Sequence, residues 1–144
     1  MARRARAPRN LTLILALALC LSPAGCDRGR EPSTAEEAVA AAARGIDRAK
    51  KERTLGRLES LRAALTRYAI DHDGTLPEGS SLAAVSGELC PLYLPILEAE
   101  DAWGTTMTYS SDGRTYSVVS AGPDMSSGTG DDVTLRDGAI TGGS

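Results

Sequence analysis

One apolar periodicity constrains this chain more than anything else in it. Leu55, Leu58, Leu61, Leu65, Tyr68 and Ala69 recur at three- and four-residue spacing, which sets them on one face of an α-helix. Arg57, Glu59, Arg62 and Arg67 fall mainly on the rest of that surface. The spacing predicts a helix over about Thr54–His72, stopped by Asp73-Gly74 and then Pro77, since glycine takes the left-handed conformation that ends helices and proline cannot continue one. Such a leucine face must be covered. Two strand-like runs downstream, Thr105–Ser110 and Thr115–Ala121, are joined by Ser111-Asp112-Gly113-Arg114, and an Asp-Gly pair between such runs signals a hairpin. Tyr109, Tyr116 and Val118 would pack on the leucines. The expected fold class is α+β, an N-terminal long helix laid on a small antiparallel β-sheet.

The flanking segments are less determined. Ala35–Arg53 is dense in Ala, Glu, Lys and Arg, a helix-forming composition. Its apolar content is mostly alanine and Gly45 interrupts it, so it reads as a solvated stalk or as the weak first half of a longer helix. Between Glu78 and Ala99 a short helix near Ser81–Leu89 and an irregular connection after Pro91 are expected. The chain has no phenylalanine. A core this modest is of the kind that often needs an extra staple.

The first 25 residues follow another logic. Arg3, Arg4, Arg6 and Arg9 form a basic start, Leu11–Leu21 is apolar apart from Thr12, and small residues lead to Cys26. That is the layout of a bacterial export signal, and the apolar run falls short of the roughly 20 residues a spanning helix requires. Ser22-Pro23-Ala24 offers an ordinary signal-peptidase site. Ala24-Gly25-Cys26 offers the end of a lipobox, which would attach diacylglycerol to Cys26, although Pro23 stands where Leu is usual. The lipobox is the favoured reading. The expected organisation is a signal peptide over 1–25, a tether and Ala/charge-rich helix over 26–53, and a globular domain over 54–144.

Removing Met1–Gly25 takes away four of the 16 Lys and Arg and none of the 19 Asp and Glu, leaving a net charge of about −7. Phosphate binding demands clustered Lys and Arg, so nucleic acid is a poor partner. Divalent cations and basic protein surfaces are compatible ones. Of the three cysteines, Cys20 leaves with the signal, Cys26 is the lipid candidate and Cys90 remains alone. An unlipidated Cys26 could instead pair with Cys90 in an oxidising compartment.

The chemistry concentrates near the end of the chain. In Asp124-Met125-Ser126-Ser127-Gly128-Thr129-Gly130-Asp131-Asp132, three carboxylates bracket a glycine-containing loop. Crowded anions repel unless a cation sits between them, and Ca²⁺, which takes six to eight oxygen ligands, is the simplest choice. Gly128 and Gly130 would permit the bend that lets Asp131 and Asp132 share an ion. On loop composition alone, a solvated Asp/Gly/Ser turn stands ahead of the metal reading.

A family resemblance changes that order. Tyr68-Ala69-Ile70-Asp71-His72-Asp73-Gly74-Thr75-Leu76-Pro77, Asp101-Ala102-Trp103-Gly104, Ser120-Ala121-Gly122-Pro123-Asp124 and Gly130-Asp131-Asp132-Val133 follow one another in the chain. In this order they resemble the marks of the globular domain of the major (G-type) pseudopilin of type II secretion systems, over about Leu55–Val133. The resemblance implies a structural calcium ion held by Asp124, Asp131 and Asp132, with backbone carbonyls matched here to Ala121 and Ser126. Three features depart from the family pattern, the first being one extra residue before Gly74. Thr106 and Met107 stand where Pro and an aromatic are usual. An export signal and Cys26 replace the apolar shaft helix, so polymerisation by the family's route is not expected.

Catalytic signatures are thin. His72 is the only histidine, flanked by Asp71 and Asp73 at a helix end, and reads as an exposed cap. No glycine-framed serine and no phosphate loop occurs. Trp103 reads as a core anchor beside the sheet, and Lys50-Lys51 as solvated or membrane-proximal charge. The expectation is a non-enzymatic, exported, lipid-anchored component of type II secretion or a related envelope assembly, with protein components and the membrane as partners. A stand-alone envelope lipoprotein for adhesion or ligand capture is the alternative.

Overall fold

A computed structural model of the chain describes residues 34–143. The expected export signal over Met1–Gly25, the expected lipidation site Cys26 and nearly all of the expected tether lie outside the described residues.

The first element, α1, runs unbroken over Ala35–Asp71. The two helical segments expected on either side of residue 53 are therefore one helix. Gly45 and Gly56 do not divide it, because a helical glycine costs only about 1 kcal/mol relative to alanine and the surrounding Ala, Leu, Glu, Lys and Arg are strong formers. The Thr34 hydroxyl caps the start, accepting the Glu37 N–H at 3.2 Å. Glu36 and Glu37 occupy the first turn, where negative charge meets the positive end of the helix dipole. The stop is where Asp73-Gly74 predicted it: Asp73 and Gly74 take φ of +53° and +84°, and the Gly74 N–H returns to the Ala69 carbonyl at 2.7 Å.

Only the second half of α1 packs. Residues 35–49 are exposed throughout, whereas Thr54, Leu58, Leu61, Ala64, Leu65 and Tyr68 are buried. A second helix, α2, spans Leu82–Leu89 under a Ser81 cap and buries Leu82, Val85 and Leu89. It is tied to α1 by the Tyr68 hydroxyl, which donates to Glu88 at 2.7 Å. That hydrogen bond, with burial, pushes the phenol up to about 12. No described helix is long and apolar enough to cross a membrane.

Four strands complete the fold: β1 (Thr108–Ser111), β2 (Tyr116–Ser120), β3 (Val133–Arg136) and β4 (Ala139–Gly142). They form an antiparallel meander in chain order. Tyr109, Val118, Leu135 and Ile140 stand opposite one another across it, and the side-chain alternation of strands carries this row to one face. The helix-on-sheet architecture is as expected, with two differences. β1 begins at Thr108 because Thr105 is held in a turn, its carbonyl accepting the Asp101 N–H at 2.8 Å. The β3–β4 hairpin is additional to the expected strands. Its turn, Asp137-Gly138, has φ of +47° and +87° and carries the same Asp-Gly signal as the first hairpin.

The core is one cluster in which α1 contributes Leu58, Leu61, Leu65 and Tyr68, α2 its three apolar residues, and the sheet Tyr109, Val118, Val133 and Leu135. Each such aliphatic side chain contributes about 1.5–3 kcal/mol on burial. The Tyr109 hydroxyl reaches the Pro77 carbonyl at 2.7 Å inside this core, pinning the segment after α1 to β1.

Candidate metal centre

The acidic loop, residues 121–132, joins β2 to β3 and is closed at its base by the Ser120–Val133 pair. Its anchor is a residue to which the sequence alone assigns no role. Asp101 is 2% exposed. One of its carboxylate oxygens accepts the N–H groups of Trp103 at 3.0 Å and Thr105 at 2.9 Å. The other accepts the Ser120 hydroxyl at 2.7 Å. The Ser120 oxygen in turn accepts the Gly122 N–H at 3.3 Å. On the other side, the Ala102 N–H donates to the buried Thr54 hydroxyl at 3.1 Å. The Asp-Ala-Trp-Gly turn thus joins α1 to the start of the acidic loop.

Two glycines fit closely around the acid pair. Gly122 has φ +66°, and a Cβ there would lie 2.6 Å from the Asp131 carbonyl oxygen and 2.9 Å from its Oδ2. Gly142 has φ +89°, and a Cβ there would lie 2.1 Å from the Asp132 carbonyl oxygen. The Gly143 N–H donates to that same carbonyl at 2.8 Å, and Lys51 of α1 donates to the Gly143 carbonyl. Backbone following β2 and backbone ending β4, on either side of the start of β3, therefore fixes residues 131–132.

The five residues expected to bind calcium are placed as follows. Ala121 is buried at the loop's base. Asp124 is exposed, its Oδ1 accepting the Ser126 N–H at 2.8 Å. The Ser126 carbonyl accepts the Thr129 hydroxyl at 3.1 Å. Asp131 accepts the Asp124 N–H at 3.2 Å and the Thr129 hydroxyl at 2.5 Å. Asp132 accepts the Gly128 N–H at 2.7 Å through Oδ2, while its Oδ1 is buried with no hydrogen-bond partner. Among the described residues no three His, Cys, Asp or Glu side chains converge as a metal cluster; in this geometry each of the three carboxylates accepts from the loop's own donors, and only Asp132 Oδ1 is left buried without one. The donor set nevertheless suits a hard cation. It is all oxygen, and a buried carboxylate oxygen without a donor is the kind of group a cation satisfies.

The Thr129 hydroxyl, with the Asp124 N–H assisting against desolvation, holds the Asp131 carboxyl below its ordinary value of 3.8. A depressed carboxyl contributes stability that is present above the unfolded pKa and lost as pH falls through the folded one. Without calcium, wild type is therefore expected to melt above Thr129→Ala at neutral pH, and the gap to close below about pH 4. A gap that persists unchanged at pH 2 would show that the hydroxyl acts by packing instead.

The other singled-out residues are simpler. Trp103 is half-buried and lines a hollow of about 160 Å³ with Lys51, Pro123, Asp131 and Gly143; it stands outside the core cluster and so is not the core anchor expected, and its indole N–H is buried without an acceptor. His72 is exposed at the end of α1 and stacks on Tyr68 at 3.9 Å between ring centroids, in keeping with a cap. Cys90 is half-buried, and its candidate partner Cys26 lies outside the described residues.

No family model matches the chain, and neither a curated protein nor a solved structure matches it.

Proposed function

We propose that this chain is a non-enzymatic structural or accessory component of type II protein secretion or of a related envelope assembly. In this reading it is exported and held at a membrane by lipid on Cys26. A pseudopilin-like domain, stabilised by Ca²⁺, is its working part. Asp124, Asp131 and Asp132 would hold the ion, with the carbonyls of Ala121 and Ser126. The bound cation would supply charge neutralisation and cross-linking of the loop, not chemistry on a substrate.

The observation that carries this reading is the buried Asp101–Ser120 hydrogen bond. It gives two of the four family-like motifs, separated in sequence, one shared physical task, which is to set the acidic loop against α1. Motifs matched by chance have no reason to interlock. The mature net charge of about −7 agrees with a surface that meets cations and basic protein faces rather than nucleic acid.

The test is recovery of the tagged chain from envelopes in millimolar calcium, with secretion measured in a deletion strain. Secretion components should co-purify, and exported proteins should accumulate inside the cells. Cys26→Ser should release the chain from the membrane fraction. Clean purification without such components, together with normal secretion in the deletion strain, would leave the stand-alone envelope lipoprotein as the better reading.

A further inference from the structure

The exposed half of α1 is more than a spacer. Ala35, Val39, Ala42, Ile46 and Ala49 alternate four- and three-residue steps, the spacing of a helix–helix seam. None packs on the described residues: residues 35–49 are all exposed, with Val39 at 71% and Ile46 at 58%. Asp47, Arg48 and Lys51 line the hollow beneath Trp103, so the domain covers the opposite side of the helix and leaves the seam free. Gly45 sits beside the seam, and a Cβ there would meet nothing within 4 Å. A mid-helix glycine is unfavourable, and no neighbour in this chain requires it.

We propose that this seam is a self-association surface on which a second copy of this chain lies antiparallel. The argument for that occupant is charge. Glu36 and Glu37 mark the acidic start of the exposed half, whereas residues 44–53 carry Arg44, Arg48, Lys50, Lys51 and Arg53 against Asp47 and Glu52 and are net basic. A parallel pair would stack Arg53, which continues the seam spacing, against Arg53 of the second copy. An antiparallel pair that lays Ala42 on Ile46 of the second copy also lays Val39 on Ala49 and Ala35 on Arg53. It brings Glu36 to Lys50 of the second copy and Gly45 to Gly45 at the dyad, where the absent side chain permits close approach. Each acidic end then reaches the mouth of a groove of about 690 Å³, bounded by Arg53, Gly56, Arg57 and the Leu94–Leu97 segment. The pairing is isologous and closes on itself, and it stands independently of the calcium reading.

Single cysteines in the full chain, in a Cys90→Ser background and in intact envelopes, test it with a short bismaleimide. Ala43→Cys, which faces itself across the dyad, should give a product of twice the chain mass. Ala40→Cys, on the far side of α1, should stay at the level of the parent without an added cysteine. Adding Ile46→Lys should reduce the Ala43→Cys product about tenfold, as expected for a charge placed in a seam worth some 1.4 kcal/mol or more. Melting of that variant, measured at dilutions where the chain is monomeric, should match that of the parent, because Ile46 is exposed and packs on none of the described residues. Equal cross-linking at positions 40 and 43 would overturn the surface. Strong self-cross-linking of Ala35→Cys would overturn the antiparallel register, and a product of any mass other than twice the chain would overturn the second copy as occupant.

Discussion

Asp101→Ala is expected to lower the unfolding free energy by about 3–5 kcal/mol, because three donors lose a charged acceptor and one of them, the Ser120 hydroxyl, is fully buried. The carboxylate binds the Trp103 and Thr105 N–H groups with one oxygen and the Ser120 hydroxyl with the other, at 2% exposure. Denaturant unfolding checks the figure, with Glu52→Ala on the exposed surface of α1 as the comparison, expected within about 0.5 kcal/mol of wild type. Asp101→Asn should fall between the two, since its carbonyl still serves the turn while its amide meets the Ser120 hydroxyl as a donor. Ser120→Ala leaves the Asp101 Oδ2 unpaired in the core. The double variant should therefore cost less than the sum of the single ones. Strict additivity, or an Asp101→Ala cost under 1 kcal/mol, would remove Asp101 from the centre of the architecture.

Asp101 also shows where sequence reading stops. The leucine spacing of α1 and the first Asp-Gly hairpin are legible because each is a local signal: a period of 3.6 residues, and a turn that needs positive φ. The end of α1 at Asp73-Gly74 is legible for the same reason. The β3–β4 hairpin carries its own Asp-Gly signal at Asp137-Gly138, but its strands are short and follow directly on an acidic loop, which masks the pattern. Asp101 stands out in the sequence only as part of a motif. Its burial depends on Ser120, 19 residues away, and no local pattern reports such a distance. The continuity of α1 through Gly45 and Gly56 is open in the sequence, because alanine-rich composition supports a helix equally well with or without a break.

The candidate site divides in the same way. Crowding of Asp124, Asp131 and Asp132 in one loop is evident from spacing. The close fit of Gly122 and Gly142 against the backbone of Asp131 and Asp132 is not, since it joins the loop to β4. The Lys51–Gly143 bond then connects that fit to α1. Loop, sheet edge and helix thus share one anchor, so an effect at the acid pair should be felt as stability of the whole domain rather than as local ordering.

Calcium is accordingly expected to raise the melting temperature by about 10 °C at a hundredfold excess over its dissociation constant. Ligand excess of that size adds about 2.7 kcal/mol, and each kcal/mol moves a domain of this length by about 4 °C. Modules exposed to extracellular calcium typically bind at about 10⁻⁴–10⁻³ M, so the full effect requires about 10 mM at the tight end and about 100 mM at the weak end. Magnesium should give much less, because it holds its waters and demands a tighter octahedron. Asp132→Asn keeps an acceptor for the Gly128 N–H but loses the charge beside the unpartnered oxygen, and Asp124→Ala removes an exposed carboxylate that makes one bond to Ser126. Both should lose most of the calcium increment. The comparison is made within each variant, calcium against chelator, so any change in its baseline stability cancels. If wild type melts at the same temperature in both solutions, the loop is a hydrogen-bonded turn sustained by its own N–H donors, and the orphaned Asp132 oxygen must be satisfied by water instead.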